Sequence, residues 1–517
     1  MEQRVSPKQW LALFGAMLGA FMAVLDIQIT NSSLNDIAGA LGCSLEEGSW
    51  ISTAYLVAEI IVIGITGWVA RIVSVKRYIL FSTVAFVGCS ILCAFSQNLN
   101  MMIAARVLQG LTGGALIPMA MMVNLTIMPP KAQPLGNAIF AMTATFAPSV
   151  GPTIGGWLTD NYGWEWIFFI NVVPGILMFL LIAANLPQDE AKPELLKEGD
   201  YFGILAMGIG LGSLEYVLEE GERKDWFGSP LIVRFAILAV VFIGLFLYIE
   251  LTSKKPFLNL RVFRYVNFTL CSMILSALGL ALYGTVYLIP LYLAQIQGYN
   301  SLQIGLTLMW AGIPQLFILP FVPRLMKVVD PRILAGFGIV LFSGSCFMDA
   351  FLSPDFAMDQ FRVSNVVRAI GQPFLFVPLL SMSTTGIPRS EAGSASALFN
   401  MSRNIGGSIG IALLSTVLTQ REHLHSVRMG EWVTTYTPAF HARIDALTAM
   451  FQAKGLDTAT ASSFALKAVD GAMRKQSYIQ AYSDAFLVIG VVLLLSGLSL
   501  FFLPKPAPMG GGVPSAH

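Results

Sequence analysis

The stretch Ala147-Pro148-Ser-Val-Gly151-Pro152-Thr-Ile-Gly155-Gly156 lies inside an apolar run over residues 135–158. Two prolines and three glycines so close together would break a helix in water. A membrane tolerates them, because neighbouring helices, polar side chains and ordered water satisfy the backbone groups they release. Ala144, Pro148, Gly151 and Gly155 recur at helical spacing and strip one face of bulk, so a second helix can approach closely there. Close packing alone explains such a face, since glycine and proline are frequent in membrane helices.

Composition sets that context. A chain of 517 residues that is 55% hydrophobic and 12% charged, with mean hydropathy +0.70, cannot present the polar surface of a soluble globule. It reads as an all-α polytopic membrane protein. A net charge of +1 offers no basic footprint for nucleic acid. The cysteines, Cys43, Cys89, Cys93, Cys271 and Cys346, fall mostly in apolar runs without a paired framework. Cys89 and Cys93 share a helix face, but no histidine accompanies them, so they read as small core residues rather than a metal site. With no nucleotide-binding loop and no nucleophile beside a histidine, the sequence does not read as an enzyme and calls for no cofactor.

Apolar runs long enough to span occur at residues 10–30, 50–69, 79–95, 101–128, 134–158, 166–186, 201–218, 232–251, 268–296, 304–321, 333–351, 363–387, 395–418 and 485–503, fourteen in all. The first lacks a small-residue cleavage site and is followed by further spans, so it is read as a helix and not a signal peptide. An even number places both termini on one side. Assigning the odd-to-even connections outward leaves Arg71, Lys76, Arg77, Lys131, Lys254, Lys255, Arg261, Arg264, Arg324, Lys327, Arg332 and Arg389 on the side of the termini, which is therefore cytoplasmic. The opposite loops carry few cations, chiefly Arg223, Lys224 and Arg362, and the acids Glu46, Glu47, Asp160, Glu219 and Glu220.

The connection 420–484 is anomalous: long, polar, outward, and home to three of the four histidines. Phe440, Ile444, Leu447 and Phe451 recur at helical spacing before Gly455, and Thr458 is placed to cap a second helix ending near Arg474. The pattern predicts an outward helical hairpin. His423 and His425 on such an exposed segment read as solvated rather than as metal ligands.

Charges inside apolar runs are costly and usually serve a cavity or an ion path. Asp26 shares a face with Gly15, Gly19 and Met22, and Glu59 interrupts the second run. Arg106 opens Arg106-Val-Leu-Gln109-Gly110-Leu-Thr-Gly113-Gly114, and Arg403 lies in Asn400-Met-Ser-Arg403-Asn-Ile-Gly-Gly. An acid paired with an arginine merely to hold helices together is the alternative to a proton-coupling role for Asp26, Arg106 and Glu59. Glu59, Gln109, Tyr283, Tyr287 and Trp310, with many methionines, would line an adaptable aromatic substrate cavity, although lipid-facing helices use such residues too.

Asp26 in Leu-Asp-Ile-Gln-Ile-Thr-Asn, Arg106 in Arg-x-x-Gln-Gly, Gly151-Pro152-x-x-Gly155-Gly156 and Trp164-x-Trp166-Ile-Phe-Phe-Ile-Asn171 together resemble the major facilitator superfamily, and within it the fourteen-helix drug:proton antiporters. The Asp225-Trp226-Phe227 loop, Arg264-x-x-Asn267-Phe268, Gln297-Gly298-Tyr299 and Gly393-x-Ala395-Ser396 extend the likeness to EmrB-type multidrug exporters of Gram-negative bacteria over nearly the whole chain. The resemblance implies a proton gradient as the energy source, an antiporter motif at Pro148 to Gly156, and proton coupling at Arg106. It further implies a bacterial inner-membrane location and work alongside a periplasmic adaptor and an outer-membrane channel, with 420–484 and its Phe440, Ile444, Leu447 and Phe451 facing the adaptor. The expected architecture is a six-helix bundle over 1–188, two linking helices over 189–260 and a second six-helix bundle over 261–517, with substrate held between the bundles at mid-membrane. Export of hydrophobic or amphipathic drugs is the leading expectation. Export of one metabolite such as a siderophore or fatty acid, symport or uniport, and a non-transporting sensor are the alternatives. One departure stands out: Gly67-Trp-Val-Ala-Arg71-Ile-Val-Ser-Val-Lys76-Arg77 lacks the aspartate and second glycine of the superfamily's loop after the second helix, so the resemblance does not extend to a gating charge pair built on that acid.

Overall fold

The structure is a computed structural model that describes residues 5–197, 199–253, 256–388, 391–434 and 436–504. Lys254, Lys255, Arg389 and the carboxy-terminal tail lie outside the described residues. Among those described, the chain forms helices and no strands. The principal helices are α1 (Pro7–Ser32), α2 (Trp50–Val73), α3 (Val75–Ala94), α4 (Leu99–Ile127), α5 (Gln133–Tyr162), α6 (Trp166–Asn185), α7 (Tyr201–Glu220), α8 (Pro230–Thr252), α9 (Val266–Gln297), α10 (Leu302–Ile318), α11 (Pro331–Asp349), α12 (Met358–Thr384), α13 (Ala392–Trp432), α14 (Pro438–Ala453) and α15 (Thr458–Ser496). Eleven of the described helices are long and apolar enough to cross a membrane, and α10 is a shorter apolar helix. The protein is a multi-pass membrane protein.

Local sequence sets the helix ends. Ser6 and Gln9 form a reciprocal capping box before α1, with Pro7 at the first helical position, where no N–H is needed. The Gln9 side-chain amide then donates to the Ile127 carbonyl at 2.8 Å, tying the start of α1 to the end of α4. α4 breaks between Gly113 and Leu116, where its glycines meet α2. α5 runs unbroken through Pro148 and Pro152, as the membrane argument expects.

α1 packs on α5, α6 and α4; α9 packs on α13 and α15; α11 packs on α12. α7 and α8 pack on each other, and α7 also lies against α2 and α13. The two series of helices meet along α5 with α10 and α12, and along α2 and α4 with α13. At the second seam the Ser396 hydroxyl donates to the Pro118 carbonyl at 2.8 Å.

Three expectations are corrected. The run at 304–321 is not one helix, because a tight 3-10 turn at Met309–Ala311 divides α10 before Pro314. The helical hairpin expected within 420–484 is present, α14 and the start of α15 packing on each other about a turn at Gly455, but it is not confined to that connection. α13 continues without a break to Trp432, and the second helix passes Arg474 and runs into the membrane as α15. Asp457, rather than Thr458, is the residue that caps it, accepting from the Thr460 N–H at 3.1 Å. Phe440, Ile444, Leu447 and Phe451 do lie on α14, half-buried, with the Phe451 ring 5.8 Å from that of Phe464 on α15.

Candidate functional site

Asp26 and Arg106 meet in the interior of the first helix series. Arg106 Nη1 donates to Asp26 Oδ2 at 2.6 Å, and the two side chains are 1% and 0% exposed. The acid is further satisfied at Oδ1, which accepts from Gln109 Nε2 at 2.9 Å and Asn171 Nδ2 at 2.7 Å. Both amides also donate to the Ser90 hydroxyl, at 2.8 and 3.2 Å. Arg106 additionally donates to the Ile51 carbonyl and to Gln109 Oε1, and its guanidinium sits 4.2 Å from the centre of the Tyr55 ring. Five helices therefore contribute to one network: α4 and α6 bond the α1 carboxylate directly, while α2 holds Arg106 and α3 holds the two amides through Ser90. A buried ion pair survives only when its remaining lone pairs and protons are satisfied in this way.

The glycines after Arg106 let α4 come within backbone distance of α2. A side chain at Gly110 would meet Ala58, and one at Gly114 would lie 2.9 Å from Glu59 Cα. Glu59 is 2% exposed, and its Oε1 has no hydrogen-bond partner among the described residues. Its charged neighbours are Arg403, Arg106, Asp26 and Glu215. Arg403 is equally buried, with Nη1 unpartnered, and lies beside Tyr283 as well as Glu59. Asn400, one turn earlier, donates to the Ser396 carbonyl on its own helix. The structure thus brings Glu59, Arg403 and Tyr283 together at the junction of α2, α9 and α13. Tyr287 stands nearer Glu219 and Glu222, and Trp310 is apart from this group, with the Arg362 guanidinium 5.1 Å over its ring.

The small-residue stretch of α5 faces two ways. A Cβ at Gly151 would stand 2.5 Å from Gln28 Cβ, and one at Gly155 would stand 3.0 Å from the Ile29 carbonyl oxygen, so α1 is the partner of that face. Pro148, Pro152 and Gly156 are buried in the same helix. From the other side α10 reaches α5 through its own glycines. A Cβ at Gly305 would sit 2.7 Å from the Thr153 N, and one at Gly312 would sit 2.8 Å from Ser149 Cβ.

Residues 16–411 match the Major Facilitator Superfamily. The chain belongs to that superfamily. This facilitator is 34% identical to the colistin resistance protein EmrB of Acinetobacter baumannii, the alignment covering 98% of both chains. It is 32% identical to the multidrug export protein EmrB of Escherichia coli, over 97% of this chain and 96% of that one. It is 30% identical to the fatty acid resistance protein FarB of Neisseria gonorrhoeae, over 96% of each. The proton:xylose symporter XylE shares its fold with TM-score 0.60 at 10% identity, over 97% of both chains.

Within this facilitator the loop that lacks the superfamily aspartate has another acid in reach. Asp189, just beyond α6, accepts from the Ser74 hydroxyl at 2.6 Å and from the Val75 N–H at 2.8 Å. A carboxylate from a distant part of the chain thereby caps the start of α3, where Ser74 holds a positive φ of 90°.

Sequence reading missed a second buried pair. Arg368 Nη2 donates to Asp349 Oδ2 at 2.8 Å, with the two side chains 3% and 0% exposed. Arg368 also donates to Asn365 and Ser345. Arg368 stands on α12, the fourth helix counted from α9, as Arg106 stands on the fourth counted from α1. The rule that exposed Asp26, a charge inside an apolar run, would have found Asp349, Arg368, Glu215 and Glu250 as well. Asn171 was visible only as part of a motif, and Ser90 carried no signal.

Proposed function

We propose that this chain is a proton-driven antiporter that exports hydrophobic and amphipathic toxic compounds across a bacterial inner membrane. The observation that carries this reading is the buried network at Asp26. It places one ionisable acid and one guanidinium under the joint control of five helices, so a change in bundle geometry must change the acid's hydrogen bonds and with them its hold on a proton. The resistance and export named for the EmrB and FarB relatives support it at near full length.

In this reading α5, α10 and α13 span alongside the eleven long apolar helices, giving fourteen. The arginine and lysine bias of the connections places both termini in the cytoplasm. Bundles at 1–188 and 261–517 rock about the α5–α10 and α2–α13 seams, with α7 and α8 as the linking pair and substrate between the bundles near Glu59, Tyr283 and Arg403. The test is reconstitution of the full chain in vesicles with ethidium, nalidixate and oleate as probes, read by internal pH. Antiport gives proton release from the vesicle interior coupled to probe uptake for at least one of them. Flux of probe and proton in the same direction, or no flux, would overturn it.

A periplasmic adaptor and an outer-membrane channel are the proposed partners. Trp432 at the end of α13 and Tyr436 in the turn that follows are 80% and 94% exposed, an aromatic tip that a docking protein would cover. Replacing residues 433–456 by a short Gly/Ser linker is expected to leave vesicle antiport intact while abolishing co-purification with a cognate adaptor. Unchanged adaptor binding after that replacement would assign α14 some other role.

A further inference from the structure

Off the Asp26 network, a second set of acids lines one side of α7. Glu215 and Glu219 are one helical turn apart, and Glu222 follows just past the helix end, so all three face the same way. That side looks at α13 and α9 and not at lipid. The Ser408 hydroxyl donates to Glu215 Oε1 at 2.6 Å, and the Thr419 hydroxyl donates to Glu222 Oε1 at 2.6 Å. The Trp226 indole, in the turn after α7, donates to the Thr416 hydroxyl at 3.0 Å and fastens this edge of α7 to α13.

The other groups facing these acids come from every packed element. Tyr283 on α9 neighbours Glu215 and Glu59, and Tyr287, one turn on, neighbours Glu219 and Glu222. Glu219 also neighbours Glu220 and Arg223. Glu220 points elsewhere, paired with Arg223 and accepting from Ser49 at the start of α2. At the deep end stands Glu59, whose field includes Arg403, Arg106 and Asp26.

Glu59 turns this row of acids into more than a charged face. It is 2% exposed and its Oε1 has no partner among the described residues, although it neighbours Glu215. A buried carboxyl oxygen without a donor is costly, and the ligand that relieves it is a proton or a water that carries one. Residues one helical turn apart have Cβ atoms roughly 5–6 Å apart, a gap that one water or one side-chain rotation bridges.

We propose that α7 supplies a proton path, from Glu59 through Glu215 and Glu219 to Glu222, running beside the Asp26–Arg106 network and opening on the periplasmic side. In each step one protonated carboxyl gives its proton to the bridging water as that water gives one of its own to the next carboxylate, so the first group becomes a carboxylate, the second an acid, and the water is unchanged. No electrons change hands, and each carboxylate left behind is reprotonated from the group before it. The linking helices of this facilitator thus take part in coupling, and are not a spacer between two bundles. The path rests on the antiport reading above, and the experiment separates the two.

Full-length protein is reconstituted with the probe that the wild type exports among ethidium, nalidixate and oleate. Glu215→Gln keeps an oxygen for the Ser408 hydroxyl and so preserves the local packing; Glu219→Gln is the second variant, and Glu215→Asp the conservative one. Both glutamine variants are expected to lower gradient-driven proton flux by about a hundredfold, the lower end of what a positioned proton carrier contributes. Probe counterflow without a gradient should stay at the wild-type rate, and Glu215→Asp should recover flux with a displaced pH profile. Unaltered proton flux and pH profile in both glutamine variants, with the wild type coupled, would overturn the path and leave antiport standing. Loss of counterflow together with proton flux would overturn it in favour of a structural role for these acids. A wild type that moves none of the probes would sink the antiport reading and the path with it.

Discussion

Asp26→Asn is expected to abolish gradient-driven export and to lower the melting temperature of the purified protein. Asp26 accepts from Arg106, Gln109 and Asn171 at once, so an asparagine must turn its own NH2 toward one of those donors. The larger loss is the counter-charge. Arg106 would remain 1% exposed with no acid beside it but Glu59, and stripping one partner from a buried pair costs about 3–5 kcal/mol. Destabilisation alone could silence transport, so the double variant Asp26→Asn with Arg106→Gln decides between the two effects. Removing both charges should restore most of the melting temperature, because no buried charge is stranded, yet export should stay absent. Arg106→Lys should rescue neither fully: one ammonium cannot reproduce donation to Asp26, Gln109 and the Ile51 carbonyl along a guanidinium. Full export by Asp26→Asn would remove that acid from coupling. A double variant that exported normally would reduce the network to a structural clamp.

The route from sequence to this site was uneven for physical reasons. Asp26 and Arg106 were legible because a charge inside an apolar run is rare and costly. Their partner amides were less so: Gln109 reads from the sequence as a cavity residue and not as a partner of Asp26, and Asn171 only as part of a motif, since neutral amides serve membrane helices in many ways. Asp349 and Arg368 obeyed the same charge rule and passed unnoticed inside runs read only for length. Helix ends near the surface were misjudged at residues 418 and 485 because hydropathy falls where a helix leaves the membrane, while its hydrogen bonds continue; α13 and α15 both carry on well beyond that point. The spacing in α5 identified a flat face but could not say what met it. One face receives α1, and the opposite side meets glycines of α10 that lie far along the chain. Asp189 is the clearest case of information out of sequence order, since it caps α3 from beyond α6.

The α5 geometry carries the other large expected effect, loss of export in Gly151→Leu at normal membrane abundance. The first added carbon would already lie 2.5 Å from Gln28 Cβ, with the Gln28 backbone at 3.5 Å, and Gln28 is only 6% exposed. α1 has little room to retreat, because its far side is set against α6, where a Cβ at Gly15 would be 3.0 Å from Leu181 Cβ. Nor can α5 move away freely, since α10 is seated against Thr153 and Ser149 through Gly305 and Gly312. Overpacking of this kind costs about 1–3 kcal/mol, too little to prevent insertion of so apolar a chain but enough to favour one arrangement of the α5–α10 seam over another. In the rocking proposed above that seam rearranges in every cycle, so a fixed bias there should stop turnover before it unfolds the protein. Gly244 on α8 provides the control: no atom lies within 4 Å of its added Cβ, and Gly244→Leu should export like the wild type. Gly151→Ala, whose single added carbon already presses on Gln28 Cβ but brings none of the leucine's further bulk, should fall between the two. If vesicles bearing Gly151→Leu exported as fast as those bearing Gly244→Leu, close approach of α1 to α5 would not be a requirement of the cycle, and the glycines of α5 would be there for packing alone.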